Sequence, residues 1–480
     1  MIEMAIKNKL YKNVIKVFAS NFLLIASGII MGFLLPKLLG VTDYGYYKIF
    51  NLYTTYVVFF DLGIANGVYL EFGGIERNNI EKERFRFYFK ILVFLQTVCL
   101  LVISVTALIA LKGSYQFIFI MLSLYLMANN ITNYYEKVSI ALGEFDALSK
   151  RNILKSLLSV VIIGLLWIGI EIKLPIQYYK LYTILFVAVY ALLAIQYVYI
   201  FKDISFGKST DFVKEKPFLI KIIKGGMLLL LADMVASLIM ALDRQFVSIL
   251  YDVDTYSVYS FAYSMLKTIV LAVSALSNVI YPALRRMGQE EMQQSYNYSL
   301  CAVGILSIAC QLTYYPLCLI VEFFLPNYLG SLPIFRALFP GITINLIISL
   351  LMINHYKALK KQNLCFGITV MVLVLSFGLN CGAYFLFGSP IGFSAASVLT
   401  MFIWYLLSGY FIDRIYRTNT RIHHVFLLTN IVIYYLVSNL IKNYYAGFVL
   451  NLILLLVISM MFYKKEIIYL LNKLRERKKI

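Results

Sequence analysis

About fourteen apolar runs, each long enough to cross a lipid bilayer, follow one another along this chain of 480 residues. A membrane-spanning helix needs about 20 mostly apolar residues, and a transmembrane strand would be shorter and strictly alternating. The sequence therefore predicts an all-α membrane protein with about 14 transmembrane helices. In chain order, spans 1 to 14 are 17–39, 46–70, 88–111, 115–140, 154–171, 177–201, 225–250, 256–283, 297–322, 334–356, 365–387, 391–413, 425–441 and 447–463.

The composition excludes several classes of protein. The chain is 61% hydrophobic and only 14% charged, whereas a soluble domain is about half apolar and a quarter charged. The six cysteines fall in apolar runs without a CxxC pair, which favours packing residues over a metal site or a disulfide framework. No Walker loop, HExxH or GxSxG motif occurs, and the connections are too short for a folded domain. We therefore expect neither an enzyme nor a bound cofactor.

The positive charge is distributed asymmetrically. The net charge is +19, and Lys and Arg concentrate in alternate connections, as the positive-inside rule predicts for cytoplasmic segments. These include a retained leader, 1–16, the connection holding Lys150, Arg151 and Lys155, a linker, 202–224, and a basic tail, 464–480. This pattern predicts that both termini lie in the cytoplasm and gives no reason to expect nucleic acid as a partner.

Two short segments suggest an internal repeat. Residues 38–47 and 250–259 share Leu, Val, Tyr and Tyr at matching places, and each follows a span at the predicted outer side. Transporters are commonly built from such repeats, with the substrate site where the repeats meet. The repeat predicts an N-terminal lobe of spans 1–6, residues 1–201, and a C-terminal lobe of spans 7–12, residues 225–413. A helix pair, 425–463, would follow.

Ionisable residues inside spans are candidate site residues because a charge at the bilayer centre costs roughly 2.5–3.5 kcal/mol. Span 7 carries Asp233, Asp243 and Arg244, and Lys267 lies near the middle of span 8. Lys267 could attract a phosphate group, or it could form a structural ion pair with an acid such as Asp233. Asp243 or Asp233 could relay a proton, whereas Arg244 could extend to the membrane interface.

Span 4 carries a polar face. Asn129, Asn133 and Glu136 are spaced i, i+4 and i+7, which places them on one side of a helix. Such a face could bind sugar hydroxyls, or it could form hydrogen bonds with neighbouring helices. The residues alone favour neither interpretation.

A set of short motifs carries a family resemblance. In order, they are Leu35 to Gly40 with Asp43 to Tyr47, Asp61-Leu62-Gly63, Leu242-Asp243-Arg244, Tyr256 to Tyr259, Tyr281-Pro282, Asn354 to Lys361, Asn380, and Gly392 with Ala395 and Ala396. With them the chain resembles the polysaccharide flippases, the Wzx-type exporters of O-antigen and capsule repeat units. These belong to the multidrug/oligosaccharidyl-lipid/polysaccharide exporter (MOP) superfamily. Span 1 has no arginine, unlike the related lipid II flippases, which carry lumenal arginines in helices 1 and 8.

The resemblance implies a function and a location. It implies that the chain flips an undecaprenyl-pyrophosphate-linked oligosaccharide from the inner to the outer leaflet of the bacterial cytoplasmic membrane, by alternating access. Lys267 and Arg244 would attract the pyrophosphate, and Asp233 or Asp243 would balance charge or carry a proton. Transport would be coupled to H⁺, Na⁺ or the membrane potential. A polysaccharide polymerase and a chain-length regulator are implied protein partners, besides the membrane lipids.

Three alternatives remain open at this point. A multidrug cation antiporter has the same fold but should favour an acidic cavity. A lipid II flippase shares the mechanism. A membrane polysaccharide polymerase would usually carry a long outer loop with catalytic residues, which this sequence lacks.

Overall fold

The computed structural model describes residues 2–274 and 277–477, and this part of the chain is helical, with short connections and no strand. The first eight helices are α1 Ile2–Thr54, α2 Ile64–Phe72, α3 Lys82–Ala110, α4 Gly113–Ala141, α5 Phe145–Glu171, α6 Tyr178–Ile200, α7 Lys202–Ser205 and α8 Phe212–Ile239. The others are α9 Leu242–Leu250, α10 Val253–Ser274, α11 Ser277–Arg286, α12 Gln289–Gln311, α13 Tyr314–Phe324, α14 Leu332–Ile347, α15 Ile353–Ala358, α16 Gln362–Phe387, α17 Pro390–Tyr416, α18 Arg421–Leu440 and α19 Tyr444–Arg477.

The prediction of an all-α membrane protein is confirmed. Each of the fourteen predicted spans falls on one or two of these helices. Within the described residues, eleven helical stretches are long and apolar enough to cross a membrane. The other predicted spans correspond to the short α2, to α4 with its Asn, Glu and Lys side chains, and to α10, which carries Lys267. The chain is a multi-pass membrane protein.

Several predicted spans are interrupted. The long α1 bends at Gly40, where φ is 71°, a left-handed conformation that glycine adopts without strain. Span 2 is broken between Thr54 and Ile64 by a 3₁₀ turn, Val57–Asp61, and by left-handed Leu62 and Gly63. Span 7 is divided at residues 240–241, between α8 and α9. Irregular backbone at membrane depth requires partners for its carbonyl and amide groups, because the hydrocarbon supplies none.

The contacts divide the chain into two compact units, Met1–Ser237 and Leu238–Ile480. In the first unit α4 is the central helix, because it packs against α1, α2, α3, α5 and α6. Side chains on several sides of α4 are therefore buried, and its polar residues lie against other helices. Large tyrosines fill this interior, and the fully buried ones include Tyr44, Tyr134, Tyr135, Tyr179, Tyr182 and Tyr197.

In the second unit α14 occupies the centre. The apolar window of its stretch, Pro326–Ala358, is 78% buried, against 28% for α16. It packs against α10, α12 and α17, and a π-helical turn at Ile348–Met352 joins it to α15. The final pair, α18 and α19, packs on α12 and α13.

The predicted lobes, 1–201 and 225–413, and the predicted helix pair, 425–463, remain predictions. The predicted linker, 202–224, holds α7 and the first turns of α8. The predicted tail, 464–480, continues α19 beyond a bend at Tyr463, and residues 478–480 lie outside the described residues. Both segments of the suggested repeat lie at helix breaks, at Gly40 and just before Val253.

Candidate functional site

The polar face predicted on α4 is held by neighbouring side chains. The Tyr125 hydroxyl donates to Asn129 Oδ1 across 3.1 Å, and Asn129 Nδ2 donates to Asn130 Oδ1 across 3.2 Å. Asn130 Nδ2 donates to the Val57 carbonyl at 3.0 Å and to Gln96 Oε1 at 2.8 Å. These bonds tie α4 to α3 and to the 3₁₀ turn that interrupts span 2, and they supply partners for its backbone.

Asn133 lies one turn further along α4, beside the same interruption. The Asp61 carboxylate is fully buried there and accepts a hydrogen bond from the Gly63 amide at 2.7 Å. Asn133 and the Lys137 ammonium lie close enough to stabilise the negative charge of Asp61. The local role of Asp61 is to fix the turn between the 3₁₀ segment and α2.

Glu136 faces a cation that the sequence analysis placed in a connection. Its carboxylate lies 3.2 Å from the Arg151 guanidinium on α5. Arg151 and Lys155 both lie on α5, which begins at Phe145, nine residues before the predicted span 154–171. Their placement on the cytoplasmic side remains a prediction. Counting apolar residues missed the first turns of this helix, since Arg151 and other polar residues lie there. Their spacing of i and i+4 on one helical face was the available signal.

The break in span 7 holds the predicted residue Asp243. This carboxylate is 1% exposed and accepts three hydrogen bonds. The donors are the Arg244 backbone amide at 2.7 Å, the Tyr259 hydroxyl at 2.7 Å and the Ser397 hydroxyl at 2.8 Å. The carboxylate joins α9, α10 and α17, so a proton relay through Asp243 would have to rearrange these bonds.

Arg244 stabilises the same break. Its guanidinium donates to the Met240 carbonyl at 3.1 Å, and the Tyr263 hydroxyl donates to that carbonyl at 2.6 Å. The guanidinium carbon also lies 4.2 Å from the centroid of the Tyr263 ring, which is cation–π geometry. Arg244 is thus fixed in the second unit rather than extended along an exposed helix end.

Lys267 lies on α10 one turn after Tyr263, and its side chain is exposed. Tyr259, Tyr263 and Lys267 follow one another at intervals of four residues, so Lys267 shares the helix face that contacts Asp243 and Arg244. The predicted relay residue Asp233 is also exposed and lies on α8 in the first unit.

Six of the seven predicted site residues form two groups, and the seventh, Asp233, lies on α8. Asn129, Asn133 and Glu136 lie along α4 in the first unit, whereas Asp243, Arg244 and Lys267 cluster around the α9 and α10 helices of the second. Their roles in binding or proton transfer remain predictions. The residues that sequence reasoning missed are Arg151 and Lys155.

Comparison with known proteins identifies similar folds among solved structures but no match to a family model or a curated sequence. No protein-family model matches the chain, and no curated protein sequence matches it. Among solved structures, the chain resembles the lipid II flippase MurJ in an inward closed conformation, with a TM-score of 0.71 at 14% identity. That match covers 95% of this chain and 100% of MurJ.

Two further structures match less closely. An inward-facing multidrug resistance MATE transporter of the MOP superfamily gives a TM-score of 0.56 at 13% identity, covering 83% of this chain and 96% of the other. A MOP superfamily transporter from Pyrococcus furiosus, described as having a binding pocket of reverse polarity, gives a TM-score of 0.52 at 11% identity. That match covers 85% of this chain and 97% of the other. The chain thus has the fold of the MOP transporters.

Proposed function

We propose that this protein is a flippase for a lipid-linked oligosaccharide. It moves an undecaprenyl-pyrophosphate-linked repeat unit from the inner to the outer leaflet of a bacterial cytoplasmic membrane, for surface polysaccharide synthesis. It works by alternating access, with both termini in the cytoplasm. A polysaccharide polymerase and a chain-length regulator act on the delivered unit.

One observation carries this proposal. The fold of nearly the whole chain is similar to that of a protein named for flipping lipid II, and it is less similar to the multidrug transporters. Because fold alone does not define a substrate, the substrate class is argued from the motifs quoted above and from the charges at membrane depth.

The chemistry of such a substrate suits these charges. A lipid-linked sugar has a head group too polar for hydrocarbon and a tail too apolar for water. Lys267 and Arg244 offer cations to the diphosphate, and the α4 face of Asn129, Asn133 and Glu136 offers groups that bind hydroxyls. Asp233 or Asp243 would balance charge or carry a proton. The energy would come from H⁺, Na⁺ or the membrane potential.

The decisive experiment uses a deletion strain. Lipid-linked oligosaccharide is quantified in extracted lipids, and its exposure is measured on the two faces of spheroplasts. We expect complete repeat units to accumulate on the cytoplasmic face while surface polysaccharide disappears. Complete but unpolymerised units on the outer face would instead indicate a polymerase. If neither pool changes while drug accumulation rises, the protein is a multidrug exporter.

The likeness to MurJ makes lipid II flipping the second candidate. The control is expression of this chain in a strain depleted of its own lipid II flippase. We expect no rescue of growth, because span 1 lacks the arginines that the resemblance associates with lipid II flippases. Rescue of growth would indicate that the substrate is lipid II and not the repeat unit.

A further inference from the structure

Two cations lie on α5 within the first unit, one just before the predicted span 154–171 and one at its start. Arg151 and Lys155 are one turn apart on α5, and Lys155 is ten residues after the start of this 27-residue helix. At 1.5 Å per residue that is about 15 Å along the axis. A cation on a membrane-spanning helix is costly unless a partner or a ligand compensates its charge.

The contacts of Lys155 within the described residues are neutral. Its ammonium donates to the Tyr190 hydroxyl at 2.8 Å and lies 4.9 Å from the centroid of the same ring. Tyr190 is near the middle of α6, and Tyr125 is near the middle of α4. Their rings pack edge-on, with 4.7 Å between the ring centroids. The ammonium thus lies where the central parts of three helices meet, beside aromatic groups that cannot neutralise it.

Arg151 has one charged partner and spare donor capacity. Its guanidinium lies 3.2 Å from Glu136 and donates to Asn152 Oδ1 at 2.9 Å. Its Nε–H is buried and makes no hydrogen bond within the described residues. The side chain of Arg151 is 11% exposed, whereas that of Glu136 is 32% exposed. Within the described residues the two cations thus have one carboxylate partner, Glu136 beside Arg151, and a guanidinium N–H of Arg151 makes no hydrogen bond.

We propose that Arg151 and Lys155 form an anion site for the phosphate groups of the transported lipid. This rests on the proposed function and adds residues on α5 to it. A diphosphate carries several negative charges, accepts the forked donors of a guanidinium and pairs with an ammonium as a point charge. Tyr190 and Asn152 supply neutral groups beside the two cations. Glu136 holds Arg151 in place and competes with the ligand for it.

This role for Glu136 predicts the direction in which Glu136→Gln changes anion binding. If Glu136 bound only sugar hydroxyls, Glu136→Gln would leave the binding of a sugar-free diphosphate unchanged. If Glu136 competes with a phosphate, removing its charge tightens binding of an anion. The change from Glu to Gln keeps the shape of the side chain and an oxygen that can accept from Arg151.

The experiment measures binding to the full chain in lipid nanodiscs. The probes are undecaprenyl pyrophosphate without sugar, inorganic pyrophosphate, and undecaprenol as the uncharged lipid. We expect Lys155→Gln to weaken undecaprenyl pyrophosphate binding about tenfold, Lys155→Arg to restore most of it, and Glu136→Gln to tighten it severalfold. Undecaprenol binding should not change. The matched control is Lys180→Gln, which removes an α6 cation that lies over the Phe117 ring.

The probes distinguish two sources of the ligand. If inorganic pyrophosphate competes and shows the same dependence on Lys155, the diphosphate alone is recognised. If only the lipid form binds, the site requires the lipid head group in the membrane. Unchanged binding in Lys155→Gln, or unchanged or weaker binding in Glu136→Gln, would overturn the proposal. Thermal unfolding of each variant confirms that it is folded.

Failure of this inference differs from failure of the proposed function. Wild-type flipping together with diphosphate binding independent of Lys155 would refute only the anion site. Diphosphate binding that depends on Lys155, in a protein whose deletion leaves lipid-linked oligosaccharide unchanged, would refute only the substrate assignment.

Discussion

The Ser397 hydroxyl donates a hydrogen bond to Asp243 Oδ2 across 2.8 Å, although 154 residues separate the two in the chain. The same oxygen accepts from Tyr259. Asp243 is the second residue of α9, which follows the break in span 7, so these bonds hold the broken helix against α10 and α17. A buried carboxylate is costly unless it is fully hydrogen-bonded. This one accepts hydrogen bonds from α10, from α17 and from the Arg244 amide of its own helix.

Loss of one donor should destabilise the second unit. We expect Tyr259→Phe and Ser397→Ala each to lower the free energy of unfolding by about 1–2 kcal/mol, because a buried charge loses a hydrogen bond. Thermal unfolding in detergent measures this. The control is Thr400→Val on the same helix, whose hydroxyl donates, among the described residues, to the Ala396 carbonyl of α17. Equal effects of Ser397→Ala and Thr400→Val would show that the bond to Asp243 contributes little.

Lys267 gives a prediction for transport. Lys267→Gln should reduce export of the lipid-linked repeat unit at least about tenfold, because a diphosphate loses a charged partner, while the abundance of the protein is unchanged. Export is measured as surface polysaccharide in the complemented deletion strain, and Lys267→Arg should retain most of it. The control is Lys442→Gln, an exposed cation in the connection between α18 and α19. Wild-type export in Lys267→Gln would refute the assignment.

Arg84 pairs with one buried and one exposed carboxylate, so its two ion pairs show how burial affects their contribution to stability. Arg84 Nε lies 3.0 Å from Glu215, which is 3% exposed, and 3.5 Å from Glu81, which is 72% exposed. The Tyr88 hydroxyl also donates to Glu215. We expect Glu215→Gln to cost about 2–3 kcal/mol of unfolding free energy and Glu81→Gln less than about 0.5 kcal/mol. The two variants are compared by thermal unfolding, and a larger loss for Glu81→Gln would contradict the role given to burial.

The transmembrane spans and the polar face of α4 are the features that the sequence predicts best. Hydropathy located fourteen helical segments, because each must cover about the same thickness of hydrocarbon. Helical periodicity placed Asn129, Asn133 and Glu136 on one side of α4. Tyr125 and Asn130, the partners of Asn129, lie on α4 itself, whereas Asp61 and Arg151 lie on other segments. A pattern of residue types cannot indicate such long-range pairing.

Helix breaks and charged helix ends were harder to predict. The break at Met240–Ala241 contains neither Gly nor Pro, and it is stabilised by Arg244 and Tyr263 through the Met240 carbonyl. The first turns of α5, with Lys150 and Arg151, fall outside the predicted span 154–171 because cations lower the hydropathy of any window. In this fold a helix extends past such residues when neighbouring helices supply Tyr190 and Glu136 as partners.

The connection after α6 gives a pH dependence. Burial would raise the pKa of Asp203, but hydrogen bonds and charge from Arg77 at 2.7 Å and Lys82 at 3.1 Å outweigh it and lower that pKa. A lowered pKa means that the ion pairs stabilise the fold above the ordinary Asp value of about 3.9. This stabilisation is lost as the pH falls through the lower native value. Because Asp203 is partly exposed, we expect a contribution of at most about 1 kcal/mol.

The measurement compares thermal unfolding of the wild type and Asp203→Asn between about pH 7 and pH 3. The wild type should be the more stable near neutrality, and the difference should shrink on acidification. A difference that grows towards low pH would have the wrong sign for an acid with a lowered pKa.

Two adjacent glycines on α8 provide the sharpest packing test. A Cβ on Gly226 would lie 1.9 Å from the Gly63 carbonyl oxygen and 2.4 Å from the Gly67 amide nitrogen, whereas a Cβ on Gly225 would have no neighbour within 4 Å. We expect Gly226→Ala to lower the unfolding free energy by at least about 1–3 kcal/mol, because rigid backbone must move. Gly225→Ala should be neutral or raise it by up to about 1 kcal/mol, since alanine favours the helix. Thermal unfolding of the pair decides, and equal stability of the two variants would show that α2 and α8 do not approach each other this closely.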